Sequence, residues 1–161
     1  MLSITPCLWF DGRVQEALDL YAAVFPDVEV LDVSTYPADV PGMPQSGEIL
    51  MASLRIGAQH VQLLNGGPQY SLSPAFSFSV SCEDQEEADR YWYALTADGG
   101  EEGQCGWLKD PFGVSWQIVP SQLIGLLTDP DPDRSSRAMQ AMLAQKRIDI
   151  AAIQRAVAGE E

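Results

Sequence analysis

Phe76-Ser77-Phe78-Ser79-Val80-Ser81-Cys82, running directly into Glu83-Asp84-Gln85-Glu86, decides how this chain is read. Large apolar groups alternate with small ones over the first seven residues, the period of a strand with one face toward a core. The acids that follow complement the positive end of a helix. Ala88, Tyr91, Trp92 and Leu95 then recur at helical spacing until Gly99-Gly100 ends the pattern. Beyond them, Cys105–Lys109 and Val114–Val119 read as a hairpin around Asp110-Pro111-Phe112-Gly113, with Glu101-Glu102 before it as loop.

The same succession stands upstream. Ile4–Phe10 is a short apolar run closed by Asp11-Gly12, and Val14, Ala17, Leu18, Tyr21, Ala22, Val24 and Phe25 follow at helical spacing up to Pro26. Val28–Tyr36 reads as a strand, Pro37–Gly47 as a loop, and Glu48–Ile56 with Gln59–Leu64 as strands turning at Gly57-Ala58. Asn65-Gly66-Gly67-Pro68 crosses to the second half. Strand, helix and strands thus occur twice. An echo of Leu54-Arg55-Ile56-Gly57 in Leu108-Lys109-Asp110 fits duplication of one βαβββ unit.

Past Pro120 the composition changes. Net charge is −13 over residues 1–120 and −1 over the remainder. Leu123, Ile124, Leu126 and Leu127 form an apolar turn, and Asp129-Pro130-Asp131-Pro132-Asp133 leads into helix. Met139, Met142, Leu143, Ile148, Ile150, Ile153 and Val157 read as helix anchors against the body or a partner subunit. The expected division is a domain over 1–120, in modules 1–68 and 69–120, and a helical tail over 121–161.

Composition bounds function. The 161 residues carry a formal net charge of −14 and a mean hydropathy of −0.06. Nucleic-acid binding needs a positive field, and an anionic membrane surface would repel this chain, so neither partner is expected. The opening Met1–Pro6 has no basic segment followed by an apolar run, so no secretory leader is expected. Cys7, Cys82 and Cys105 are an odd count without a CxxC pair, which suits reduced thiols in the cytoplasm.

Cys7-Leu8-Trp9-Phe10-Asp11-Gly12, the helix ending Tyr21…Phe25-Pro26, Asn65-Gly66-Gly67-Pro68 and Val80–Asp89 together resemble the PhnB-like branch of the vicinal oxygen chelate superfamily. Cys105–Pro120 carries the most specific part of the likeness, and Asp129-Pro130-Asp131 and Met139–Leu143 resemble the same branch. The superfamily includes glyoxalases, bleomycin-resistance proteins and extradiol dioxygenases. The resemblance implies an α+β fold in which two βαβββ modules form a U-shaped open barrel, with a C-terminal helical appendage, paired as a homodimer. It brings no single reaction; part of the branch is labelled as similar to a demethylubiquinone methyltransferase.

The superfamily's metal is held by His and Glu side chains and polarises substrate oxygens. The resemblance places its last Glu ligand at Gln117, after the Asp110–Gly113 turn; an amide is a far weaker ligand than a carboxylate. Thr5, Pro6 and Cys7 in the first strand, and Ala75, Ser77 and Ser79 in its counterpart, offer no imidazole or carboxylate. The lone histidine, His60, is either a solitary ligand or a strand residue without chemistry. Cys82, near a helix start, and Cys105 are either nucleophiles or inert fillers. No metal and no cofactor are expected.

Alternation sets the expected pocket: Gln117 and Ser115 on one strand, Ser77 and Ser79 on another, Cys105 and Trp107 on a third. Such a mixture of amide, hydroxyl, thiol and aromatic surface suits a small organic ligand, or merely fills the barrel. Three functions compete: a metal-free small-molecule-binding protein, a metal-dependent lyase, isomerase or dioxygenase, and a methyltransferase. The last lacks a Gly-rich strand-to-helix turn for its cofactor.

Overall fold

A computed structural model of the chain describes residues 2–39, 41, 42 and 44–160; Val40 and Met43 of the expected Pro37–Gly47 loop, with Met1 and Glu161, lie outside the described residues. The fold is α+β, and the chain divides into two compact units, Met1–Leu72 and Ser73–Glu161.

The first unit runs β1 (Cys7–Phe10), α1 (Val14–Val24), β2 (Val28–Thr35), β3 (Ile49–Ile56) and β4 (Gln59–Asn65), forming an open sheet in the order β1-β4-β3-β2. Only β1 and β4 pair in parallel; the other neighbours are antiparallel. Leu8, Phe10, Ala52, Leu54, Val61 and Leu63 are buried, as are Val14, Ala17, Leu18 and Tyr21 of α1. The helical spacing and the strand alternation therefore meet in one core.

The second unit repeats the topology. It runs β5 (Phe78–Cys82), α2 (Gln85–Thr96), β6 (Glu101–Glu102), β7 (Trp107–Lys109) and β8 (Ser115–Pro120), in the order β5-β8-β7-β6. Again the first and last strands are parallel, here β5 with β8. Ala88, Tyr91, Trp92 and Leu95 form the buried stripe of α2, as their spacing predicts. Asp84 caps that helix, its side chain accepting from the Glu87 N–H.

Three differences from the sequence reading have clear causes. Glu101-Glu102 is a short strand rather than loop, because Glu101 pairs with Lys109 and Glu102 with Leu108; two acids between glycines carry no strand pattern of their own. The first strand begins at Cys7, and Ile4 is 85% exposed. The hairpin strand begins at Trp107 rather than Cys105. Cys105 has a φ of 55°, and the N–H groups of Cys105 and Gly106 donate to the carbonyls of Gln145 and Lys146.

Those carbonyls belong to the C-terminal segment, which forms α3 (Gln122–Leu127), α4 (Pro132–Leu143) and α5 (Ile150–Ala158) within the second unit. Leu123, Ala138, Ile148, Ile150, Ile153 and Val157 are buried together, with Val119 of β8 against them. Gln85 of α2 clasps the segment, donating to the Ile148 carbonyl and accepting from the Ile150 N–H, while Arg147 pairs with Asp89. Met139 and Leu143, expected as anchors, are 42% and 58% exposed. Small Ala138 makes the buried contact of α4 instead, and Arg137 ties this helix to the Val157 carbonyl.

Candidate functional site

The second sheet has one face under α2 and one free of it. Along β8, Trp116 and Ile118 are 1% and 2% exposed on the α2 side. The pleat sends Ser115 and Gln117 to the opposite face. Register brings their neighbours alongside: Ser79 and Trp107 flank Gln117, and Lys109 lies opposite Ser115. Ser77, just before β5, joins them, since the Gln117 Nε2 donates to its Oγ at 2.9 Å. Five of the six side chains expected to line a pocket (Gln117, Ser115, Trp107, Ser77 and Ser79) thus lie on or beside this face. Cys105 stands outside the strand, where its left-handed backbone breaks the alternation that pairs it with Trp107.

A concavity of about 260 Å³ opens at the β6–β7 side, lined by residues including Pro74, Glu101, Gly103, Trp107, Lys109 and Ser115. Ser115 is 3% exposed. Its Oγ is the one buried side-chain polar atom without a hydrogen-bond partner among the described residues. The Lys109 Nζ lies 3.5 Å from Glu101. Neither Lys109 nor Glu101 stands out in the sequence, because a lysine before a turn and two acids between glycines carry no site pattern until β6 pairs with β7. The cross-strand position of Lys109 opposite Ser115 was the available signal.

The hairpin that presents Lys109 and Ser115 is fixed by Asp110, a carboxylate only 2% exposed. Its Oδ1 accepts from the N–H groups of Phe112 and Val114 at 2.9 and 3.0 Å, and its Oδ2 from the Trp116 indole at 3.0 Å. The sequence marks Asp110 as a turn former; that it also holds a tryptophan six residues on is a tertiary fact.

The remaining candidates are dispersed. His60 is exposed on β4, opposite Arg55. Cys82 is fully buried, and burial, reinforced by the Glu87 carboxylate, pushes its thiol up to about 12. The helix start beside it therefore does not yield a thiolate at neutral pH. Cys7 is exposed at the start of β1, and its thiol is also raised, by partial desolvation. Among the described residues, no three His, Cys, Asp or Glu side chains gather in a way that could hold a metal ion. The residues present do not fit the metal that the family resemblance implies: Gln117 offers a neutral amide whose Nε2 donates to Ser77, and Lys109 adds a positive charge to the same face.

Comparison with known proteins agrees with the duplicated topology. Residues 2–119 match the family model described as 3-demethylubiquinone-9 3-methyltransferase. The PhnB protein of Bacillus cereus is 29% identical, with a TM-score of 0.65 over 74% of this chain and 99% of its own. Protein PA1353 of Pseudomonas aeruginosa is 24% identical, with a TM-score of 0.59 over 74% of this chain and 98% of its own. No curated protein matches the chain. By the family match over residues 2–119, the chain belongs to the family described as 3-demethylubiquinone-9 3-methyltransferase, to whose PhnB-like branch its motifs are similar.

Proposed function

We propose that the protein binds a small organic molecule on the α2-free face of its second sheet, and does so without a metal ion. The observation that carries this reading is Gln117: where the family resemblance places an anionic ligand there is a neutral amide, whose Nε2 donates to the Ser77 hydroxyl. Around it lie Ser79, Trp107 and Ser115, a neutral mixture of hydrogen-bonding groups and aromatic surface of the kind that orients small ligands. The family's description as a methyltransferase carries less weight. The glycine pairs Gly66-Gly67 and Gly99-Gly100 follow a strand and a helix, and neither opens a helix as a cofactor-cradling turn does.

A reducing compartment and a homodimer complete the proposal. All three cysteines are free, and no helix among the described residues is long and apolar enough to cross a membrane. Val30, Leu31 and Val33 of the edge strand β2 are 43–46% exposed, an apolar strip that a second copy would cover.

The test is metal analysis together with gentle-ionisation mass spectrometry of protein purified without chelator. The expected result is no stoichiometric transition metal, and a small bound organic mass that is lost on denaturation. Stoichiometric manganese, iron, nickel or zinc that raises thermal stability on re-addition would overturn the reading in favour of a metal-dependent lyase, isomerase or dioxygenase.

A further inference from the structure

We infer that the concavity beside β7 is a subsite for the carboxylate of a one-ring aromatic acid, an inference that rests on the ligand face proposed above and names its ligand class. Three observations converge there. Ser115 lines the concavity, and its hydroxyl is buried with no hydrogen-bond partner among the described residues. A buried hydroxyl left unpaired lowers stability, so its presence in a wall of the concavity fits a partner that arrives from outside. Lys109 lies opposite Ser115 in the antiparallel register, which holds their β-carbons about 5 Å apart. Its ammonium is one of only four basic side chains in residues 1–120.

The partner of that ammonium does not hold it firmly. Glu101 stands 3.5 Å away with 72% of its side chain exposed, an ion pair of the surface kind that water and salt weaken. Glu102, the other acid in the wall, is already engaged by the Trp92 indole and by Lys146. An incoming carboxylate would accept from the Lys109 Nζ with one oxygen and, with a small shift of the wall that brings the buried Oγ into reach, from Ser115 with the other. Glu101 would then swing to solvent. Trp107 and Pro74 supply apolar walls for a ring beside this pair of donors. The volume of about 260 Å³ falls just below the ~300–1,000 Å³ of sites for drug-sized ligands, which sets the limit near a single ring and its substituent.

The same wall could be imagined to take a cation between Glu101 and the Trp107 ring. The two donors at Ser115 and Lys109 would then face it with nothing to accept from them, so the acid is favoured.

The experiment titrates benzoate, benzyl alcohol, benzylamine and cyclohexanecarboxylate into the full-length protein, read by tryptophan fluorescence and calorimetry. Benzoate is expected to bind about ten-fold more tightly than the alcohol or the amine, the size of one charge-assisted contact, and more tightly than the saturated acid. Lys109→Met and Lys109→Gln should each weaken benzoate about ten-fold. Ser115→Ala should weaken it about five-fold while raising the melting temperature, because it removes an unpaired hydroxyl. A merely structural Ser115 would move stability and leave affinity alone.

Preference for benzylamine, equal binding of the alcohol, or unchanged benzoate affinity in Ser115→Ala and both Lys109 variants would overturn the assignment. Failure here is separable from failure of the broader reading. If benzoate does not bind but purified protein still carries an organic mass that is lost in Gln117→Ala, the subsite is wrong and the ligand face stands. If no organic mass is found and no probe binds, both fall.

Discussion

The two units share a topology and reach it with different means. In the first, β2 and β3 each run eight residues and pair along most of that length. In the second, their counterparts β6 and β7 have two and three residues. What the second sheet lacks in ladder it recovers from the C-terminal segment, whose Gln145 and Lys146, between α4 and α5, supply carbonyls to the N–H groups of Cys105 and Gly106. Each unit also buries one polar side chain as a clamp. Asn65 accepts from the Gly12 N–H and donates to the Ile49 carbonyl, tying the start of α1 to the β4 end. Asp110 accepts three hydrogen bonds within its own hairpin. One strand order can thus be specified by a long hairpin and an amide, or by a short hairpin, a carboxylate and an added helical layer.

The sharpest way to break this comparison is to remove the clamps. Asp110→Ala orphans three donors in a dry site and should cost about 3–5 kcal/mol, against about 2 kcal/mol for Asn65→Ala, which orphans one donor and one acceptor. Urea unfolding followed by tryptophan fluorescence checks the order; equal losses would show that the carboxylate is no stronger a clamp than the amide.

The turns give a second, smaller contrast. Gly106 has a φ of +83°, and an added Cβ would stand 2.8 Å from the Ile118 carbonyl and 3.1 Å from Ile148. Gly57, at φ +55°, faces open space. Gly106→Ala should therefore lose about 2–3 kcal/mol and Gly57→Ala about 1 kcal/mol. Thermal melts reversing that order would mean that the C-terminal segment gives way at Ile148 rather than resisting.

The smallest effect concerns the helix starts. Glu87 accepts from the Glu83 N–H and the Tyr91 hydroxyl, and these bonds hold its carboxyl below its ordinary 4.5. A depressed carboxyl contributes stability that is complete above its ordinary value and is lost as pH falls through the depressed one. The start of α1 carries no side-chain cap. Glu87→Gln should then cost about 1 kcal/mol at pH 7, with the gap to wild type closing below about pH 4.5. A gap independent of pH from 7 to 3 would show that the charge of Glu87 contributes nothing.

Legibility in the sequence followed the length and regularity of each element. The stripe of α2 at Ala88, Tyr91, Trp92 and Leu95, and the outward Trp116 and Ile118 of β8, could be read because period and apolarity coincide there. Lys109 and Glu101 could not be placed, because β6 is strand only by virtue of its partner. That Gln117, Ser115, Ser77 and Ser79 lie on or beside one face of the sheet followed from alternation, whereas the expected place of Cys105 beside Trp107 did not hold, since a left-handed residue ends the pleat.

The sequence alone thus determined the doubled βαβββ order, the faces of its longer strands and helices, the net charge of −14, and the amide at position 117. These are local or periodic properties, carried by each residue and its near neighbours. Only the tertiary structure decided that Asp110 is a buried clamp, that Ala138 rather than Met139 seats the last helices, and that the Ser115 hydroxyl, across from a lysine, finds no partner among the described residues. Those facts depend on which distant groups meet and which find no partner, and no period along a chain records that.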